Sequence, residues 1–242
     1  MGKSTSILII LLLSFSMAMT QDYTLFMTID LDPAPGKALD LEKGVKAHNE
    51  KYHKEGNTKG YLWSVLSGPR AGKYVWGQGP MLWEGMDAGL SEDHAADWEM
   101  NVSAHCKSIG NFNYMLRDDE LSYNPENQVT APKIIAKIFT VTGNRAAVLD
   151  ALGEIAKVFR AKKYPQARRV YTSVFNKKDN EEVALIYPFE SFKMFETSTG
   201  LPPGFQQAFE EINGLGSWRR LVTDPIQENS DSFYDEVRVL VE

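Results

Sequence analysis

The side chains able to carry chemistry are few and unevenly placed. All four histidines (His48, His53, His94 and His105), the single cysteine Cys106 and four of the five tryptophans fall between residues 21 and 131. That segment holds 10 basic and 17 acidic side chains, whereas 132–242 is balanced at 15 and 15. Chemistry that needs an imidazole must come from the first half. His48 and His53 are five apart, about 140° around a helix, the wrong spacing for two ligands of one ion. Both are expected to be structural. His94 and His105 are eleven apart, within about 20° of one helical face but about 16 Å apart along it, so they cannot share an ion. The sequence therefore assigns no metal site, and one cysteine excludes an internal disulfide framework or a cysteine-rich centre.

Asp30 and Thr28 share one face of the alternating segment Tyr23 to Leu31 with Phe26, while Leu25, Met27, Ile29 and Leu31 occupy the other. Such alternation predicts a half-buried strand. Trp63, Trp76 and Trp83 fall on the two strands of a following hairpin. An aromatic wall meeting a few polar groups is the usual form of a small-molecule site. Thr28, Trp63, Trp76 and Trp83 are accordingly the expected ligand contacts, with Asp30 and His94 as the acid–base groups. The competing reading is that the tryptophans only fill a core.

Three other motifs carry less. Gly68-Pro-Arg-Ala-Gly72-Lys73 resembles part of a phosphate loop but is one residue short, lacks the following Ser/Thr and runs from strand to strand, so it reads as a hairpin turn. Gly77-Gln-Gly79 has leucine at position 82 where a dinucleotide fingerprint needs glycine. The basic cluster from Lys157 to Lys178 spans a helix end where cations are favoured, and with a net charge of −6 for the chain it reads as a solvated face. No nucleic-acid partner is expected.

The elements that must position these residues follow from periodicity. The 242 residues, 43% hydrophobic and 11% aromatic, exclude a disordered, collagen-like or coiled-coil chain. Lys3, the apolar run Ile7–Leu13 and a small-residue exit before Gln21 predict a signal peptide over residues 1–20, hence an exported protein, periplasmic or secreted, with no later membrane span. Residues 21–124 read β-α-β-β-α-β. The first helix carries Leu41, Val45, His48 and Tyr52 at 4-3-4 spacing, and the second is capped by Ser91 with Trp98, Val102, Cys106 and Ile109 as its apolar stripe. Cys106 is therefore expected to be a buried thiol. After a polar linker, 125–132, the order repeats over 133–242, with Val148, Leu152, Ile155 and Phe159 repeating the 4-3-4 spacing.

A four-stranded antiparallel sheet with both helices on one face leaves the other bare, and two such sheets can cover each other. In this order of elements the chain resembles the dimeric α+β barrel superfamily, which includes antibiotic-biosynthesis monooxygenase-like and stress-responsive barrel domains. The resemblance implies an α+β fold of tandem ferredoxin-like modules closing an intrachain barrel, with a ligand cavity between the sheets. Three kinds of function follow from it: binding of a small apolar or aromatic molecule, oxygenation without a cofactor, or haem chemistry. Cofactor-free oxygenation needs a substrate that donates an electron to oxygen and a group such as Asp30 or His94 to deprotonate it. In haem-degrading members a helix histidine lies about ten residues after a third-strand tryptophan, and Trp83 and His94 stand eleven apart. Those members also use a first-strand asparagine, absent here, and the chlorite dismutase-like histidine belongs to a second module that here has none. The expectation is a small-molecule ligand with no cofactor, haem through His94 being the exception. A homo-oligomer, or a module that only assembles, remains a structural alternative.

Overall fold

A computed structural model describes residues 23–241 except 88, 127–130, 177, 178, 180 and 199. The expected signal peptide, the middle of the linker and Lys177–Lys178 lie outside the described residues.

The first half contributes β1 (Leu25–Pro33), α1 (Ala38–Tyr52), β2 (Gly60–Val65), β3 (Tyr74–Met81), the single turn α2 (Glu84–Asp87), α3 (Glu92–Asn101), β4 (Cys106–Ile109) and β5 (Asn113–Tyr123). The second contributes β6 (Lys133–Val141), α4 (Arg145–Lys162), β7 (Arg168–Ser173), β8 (Glu181–Phe189), α5 (Phe205–Asn213), a π-helical turn Arg219–Thr223 leading into α6 (Asp224–Asn229), and β9 (Ser230–Leu240). Ser91 caps α3 by accepting from the His94 amide at 3.2 Å, and Asn144 caps α4 by accepting from Ala146 at 3.0 Å.

The strands run β3-β2-β9-β6-β8-β7-β5-β1, and β1 pairs with β3 again, so eight antiparallel strands close a barrel. Each half supplies four of them, and the seams are β2 with β9 and β5 with β7. Closure removes free sheet edges. β4 is a ninth strand on the same side of β1 as β5: β5 pairs with Leu25–Thr28 and β4 with Leu31–Pro33, and between them the Gly110 amide donates to the Asp30 carbonyl at 2.8 Å.

Helices cover the outside. In the first half Leu41, Val45, Ile29, Leu31, Leu62, Tyr74, Trp76 and Val102 form the helix–sheet core. In the second, α4 buries Val148, Leu152, Ile155 and Phe159 against Ile135, Val170 and Leu185, with Phe205 and Phe209 of α5. A smaller cluster, Ala136, Ile138 and Ala184 with Met115, Tyr171 and Ile186, faces the barrel interior. Among the described residues no helix is long and apolar enough to cross a membrane.

The α3 region corrects one expectation. The helix stops at Asn101, Ser103–His105 form a 3-10 turn, and Cys106 is the first residue of β4, where Pro33, Asp32 and Leu31 of β1 offer backbone partners. Val102, Cys106 and Ile109 still pack on the predicted core, but only Val102 is fully buried and Cys106 is half-buried.

Candidate functional site

The inward faces of both sheets enclose a cavity of about 360 Å³. Alternation along each strand decides who lines it. On β1, Phe26 and Thr28 point inward while Leu25, Ile29 and Leu31 pack under the helices, as the sequence pattern requires. Opposite them stand Tyr61 and Trp63 of β2, Met115 of β5, Tyr171 of β7, Ile134 and Ile138 of β6, and Ala184 and Ile186 of β8. Tyr61 and Trp63 stack at 5.4 Å, and Phe26 meets Tyr171 edge-on at 5.8 Å. Gly77 and Gly79 make room for this wall: a β-carbon at 77 would lie 3.0 Å from the Trp63 ring, and one at 79 would lie 2.6 Å from the Phe26 ring. Close approach of aromatic rings, not phosphate binding, is what these glycines serve.

Charges gather at the rim and seam. Arg70, in the β2–β3 turn, donates through Nη1 to both Asp30 oxygens at 2.8 Å, and through Nε and Nη2 to Glu236 of β9 at 2.7 and 3.0 Å. Glu236 is fully buried and also accepts from Arg238 Nε at 2.9 Å. Burial alone would favour a neutral Arg70, but its bonds to Glu236 and Asp30 outweigh that and hold the guanidinium charged. Elsewhere on the lining, Arg117 pairs with Asp119 and Glu126, Arg169 donates to the Pro125 carbonyl at 2.7 Å, and Glu181 accepts from Tyr234 at 2.9 Å. Burial pushes the Tyr171 phenol up to about 12, so it stays a hydrogen-bond donor at neutral pH.

The sequence-predicted residues separate. Thr28 and Trp63 line the cavity. Trp76 does not: Trp63 pairs with Val75 across the hairpin and Leu62 with Trp76, and directly opposed residues share a face. Trp76 therefore lies under the helices, 2% exposed, its Nε1 donating to Asn49 at 2.9 Å. Trp83 falls two residues beyond β3 and packs against Tyr114 and Phe175, outside the cavity lining. Asp30 is on the inward face, opposite Val75, but is held by Arg70, which leaves no free carboxylate to act as a base. The first half does not line the cavity alone, since β6, β7, β8 and β9 supply the facing wall. Arg169 and Tyr171 belong to the segment expected to be a solvated face, and the structure corrects that expectation: Arg168 is fully buried and donates to the Leu152 carbonyl at 3.0 Å, and Arg169 is buried on the cavity lining, because β7 carries both into the barrel wall. Arg70 and Arg238 escaped the sequence reading, since an isolated charged side chain leaves no periodic signal of its own.

His94 lies on the other side of the sheet. Its Nε2 is 3.1 Å from Nε2 of His48 and 3.1 Å from Nε2 of His53. The five-residue separation of His48 and His53 misled because only His48 is helical: α1 ends at Tyr52, and His53 is the residue after it, at φ −132° and ψ 32°, which swings its ring back toward His48. His48 Nδ1 is 2.8 Å from Asp97, and His53 Nδ1 is 2.9 Å from the Thr58 carbonyl. Burial holds all three imidazoles below their ordinary value, His53 at about 4, so they are neutral near pH 7. His94 is thus no haem ligand for the cavity, and among the described residues no histidine lines it. The residues present do not fit haem held through His94.

No protein-family model matches the sequence, and no curated protein does either. Solved structures match in shape. A candidate monooxygenase from Fusobacterium nucleatum aligns with a TM-score of 0.57 at 6% identity over 91% of this chain and 93% of its own. A candidate monooxygenase from Lactobacillus acidophilus gives 0.55 at 11% over 90% and 95%. The chlorite dismutase of Candidatus Nitrospira defluvii, in complex with imidazole, gives 0.50 at 9% over 92% of each. The chain has the α+β barrel fold of these structures, its eight-stranded barrel closed by two halves of a single polypeptide.

Proposed function

We propose that this protein binds a small aromatic molecule in the barrel cavity. The observation that carries the reading is the enclosed wall of Phe26, Tyr61, Trp63 and Tyr171 facing Ile134, Ile138 and Ile186. Rings so arranged bury a flat apolar ligand, while Thr28, Asn113 and the Tyr171 hydroxyl supply the few polar contacts that orient it. The names of the structural neighbours extend the proposal to an oxidation of the bound molecule, as a monooxygenase-like oxidoreductase. In that extension Glu181, a carboxylate on the lining that accepts from the Tyr234 hydroxyl at 2.9 Å, replaces Asp30 and His94 as the group placed to take a proton. The proposed setting is outside the cytosol, on the strength of the pattern in residues 1–20, and N-terminal sequencing of the mature protein from its source checks it.

Titration with a naphthol, followed by quenching of tryptophan fluorescence, tests the binding. The expected result is saturable binding weakened at least tenfold by Trp63→Ala and by the cavity-filling Ala184→Phe, and unchanged by Trp83→Phe. Absence of binding by naphthol and by other two- and three-ring aromatics, or indifference to both cavity variants, overturns it.

A further inference from the structure

The three histidines under the first-half helices form a constellation that neither the cavity nor the fold accounts for. A neutral imidazole has one proton to place on two nitrogens. His53 Nδ1 faces a carbonyl, which can only accept, so its proton sits there and Nε2 presents a lone pair. His48 Nδ1 faces the Asp97 carboxylate, with the same consequence. Two lone pairs then converge on His94 Nε2, which has at most one proton to offer both. A proton cannot satisfy the arrangement, whereas one cation at its centre satisfies all three.

We propose that His48, His53 and His94 bind one divalent transition-metal ion of the zinc class, with a fourth position left for water or an external ligand. The three donor atoms lie within 4.8 Å of one another. Two of the separations are 3.1 Å, close to the edge of about 3.3 Å expected for a tetrahedron with zinc–nitrogen bonds of about 2.0–2.1 Å. The supports behind the ligands are those a metal centre uses: a carboxylate on one imidazole and a backbone carbonyl on another fix tautomer and ring direction. Tyr52 stacks on His94 at 4.3 Å, and the edges of Trp98 and Trp76 meet His48 and His53 at 5.1 and 5.2 Å, so the rings are packed in place. An all-nitrogen set selects zinc, copper, nickel or cobalt over magnesium or calcium. His94 is partly exposed while His48 and His53 are buried, so the ion enters from the α3 side.

The experiment uses the full mature chain, stripped with chelator and titrated with Zn²⁺ by calorimetry and with Co²⁺ by visible absorption. The expected result is one ion per chain, a four- or five-coordinate cobalt spectrum, and no sulfur-to-metal band. His94→Ala, on the partly exposed ligand, is expected to weaken Zn²⁺ binding at least 100-fold with an unchanged circular dichroism spectrum. Asp97→Asn is expected to weaken it about 10- to 100-fold by loosening His48, and His105→Ala leaves it unaltered. If His94→Ala proves unfolded, His94→Gln replaces it. Failure of the folded protein to take up one equivalent, or equal affinity in the folded His94 variant, overturns the proposal.

Discussion

Gly44 of α1 lies against the carbonyl oxygen of Asn101 at the end of α3, so closely that a β-carbon at 44 would fall 1.7 Å from that oxygen. One turn along each helix from this contact, His48 meets Asp97. The missing side chain thus sets the separation of two helices and, through it, the alignment of an imidazole with a carboxylate. Gly44→Ala must push the helices apart, since backbone cannot be repacked as a side chain can. The expected cost is about 3 kcal/mol or more, read as a lower urea midpoint, together with a changed His48 imidazole resonance. A midpoint within error of the parent refutes the close packing.

Arg70 ties the β2–β3 turn of the first half to β9 of the second through Glu236, a fully buried carboxylate. Arg70→Met leaves Glu236 with Arg238 as its remaining cation and is expected to cost about 3 kcal/mol. Arg70→Lys recovers little, because a lysine cannot make the paired bonds to Asp30 and Glu236 together. Chemical denaturation of Arg70→Met, of Glu236→Gln and of the two combined measures the coupling. A coupling energy near zero refutes the clasp.

Trp63 and Trp76 are near neighbours on one hairpin with opposite duties. Trp76→Phe removes the bond to Asn49 and a tightly packed ring, and is expected to cost about 1–3 kcal/mol of stability while leaving ligand affinity within twofold. Trp63→Ala is expected to do the reverse in affinity, with a smaller loss of stability because its ring already faces a cavity. Denaturation and fluorescence titration on both variants decide the matter, and a Trp76 variant that loses affinity would place it on the wrong face.

Burial first, and then the nearby Asp32 carboxylate, push the Cys106 thiol up to about 11 from an ordinary value near 9, and its Sγ lies 3.5 Å from the Val102 carbonyl as a donor. At pH 8 the thiolate fraction is then about 100-fold below that of an ordinary cysteine. Reaction with a disulfide reagent is expected to be slowed accordingly in the folded protein and normal in guanidinium. The folded state holds the proton more tightly than the unfolded, so this group's contribution to stability is complete below about pH 9 and is lost as pH rises through about 11. A folded-state reaction as fast as the unfolded one would contradict this.

Periodicity made the order of elements legible, because one buried face per element leaves a period of about two or 3.6 in the sequence. Val45 and His48, or Val148 and Leu152, show their burial in spacing alone. Register was not legible. Whether Trp63 or Trp76 faces inward depends on which residues oppose each other across the connection from Val65 to Tyr74, a long-range choice with no local trace. Cys106 shows a second limit: the 4-3 spacing of Val102, Cys106 and Ile109 suits a helix, yet the unpaired edge of β1 draws 106–109 into a strand while the same side chains reach the same core. The histidine constellation hid behind a third. Helical angles hold only inside a helix, and His53 stands one residue past its end.

Closing eight strands within one polypeptide also changes what the molecule is free to become. A barrel built from two identical chains repeats every wall residue across its symmetry axis, so no substitution can be made on one side alone. Here the seam crosses a single chain, and the two sides have already gone separate ways: the imidazoles sit beneath the first-half sheet, which also supplies Phe26, Tyr61 and Trp63 to the lining, while β6 and β8 of the other supply the aliphatic wall of Ile134, Ile138 and Ile186. Asymmetry of this kind lets one half specialise in holding an ion while its counterpart shapes the shared chamber.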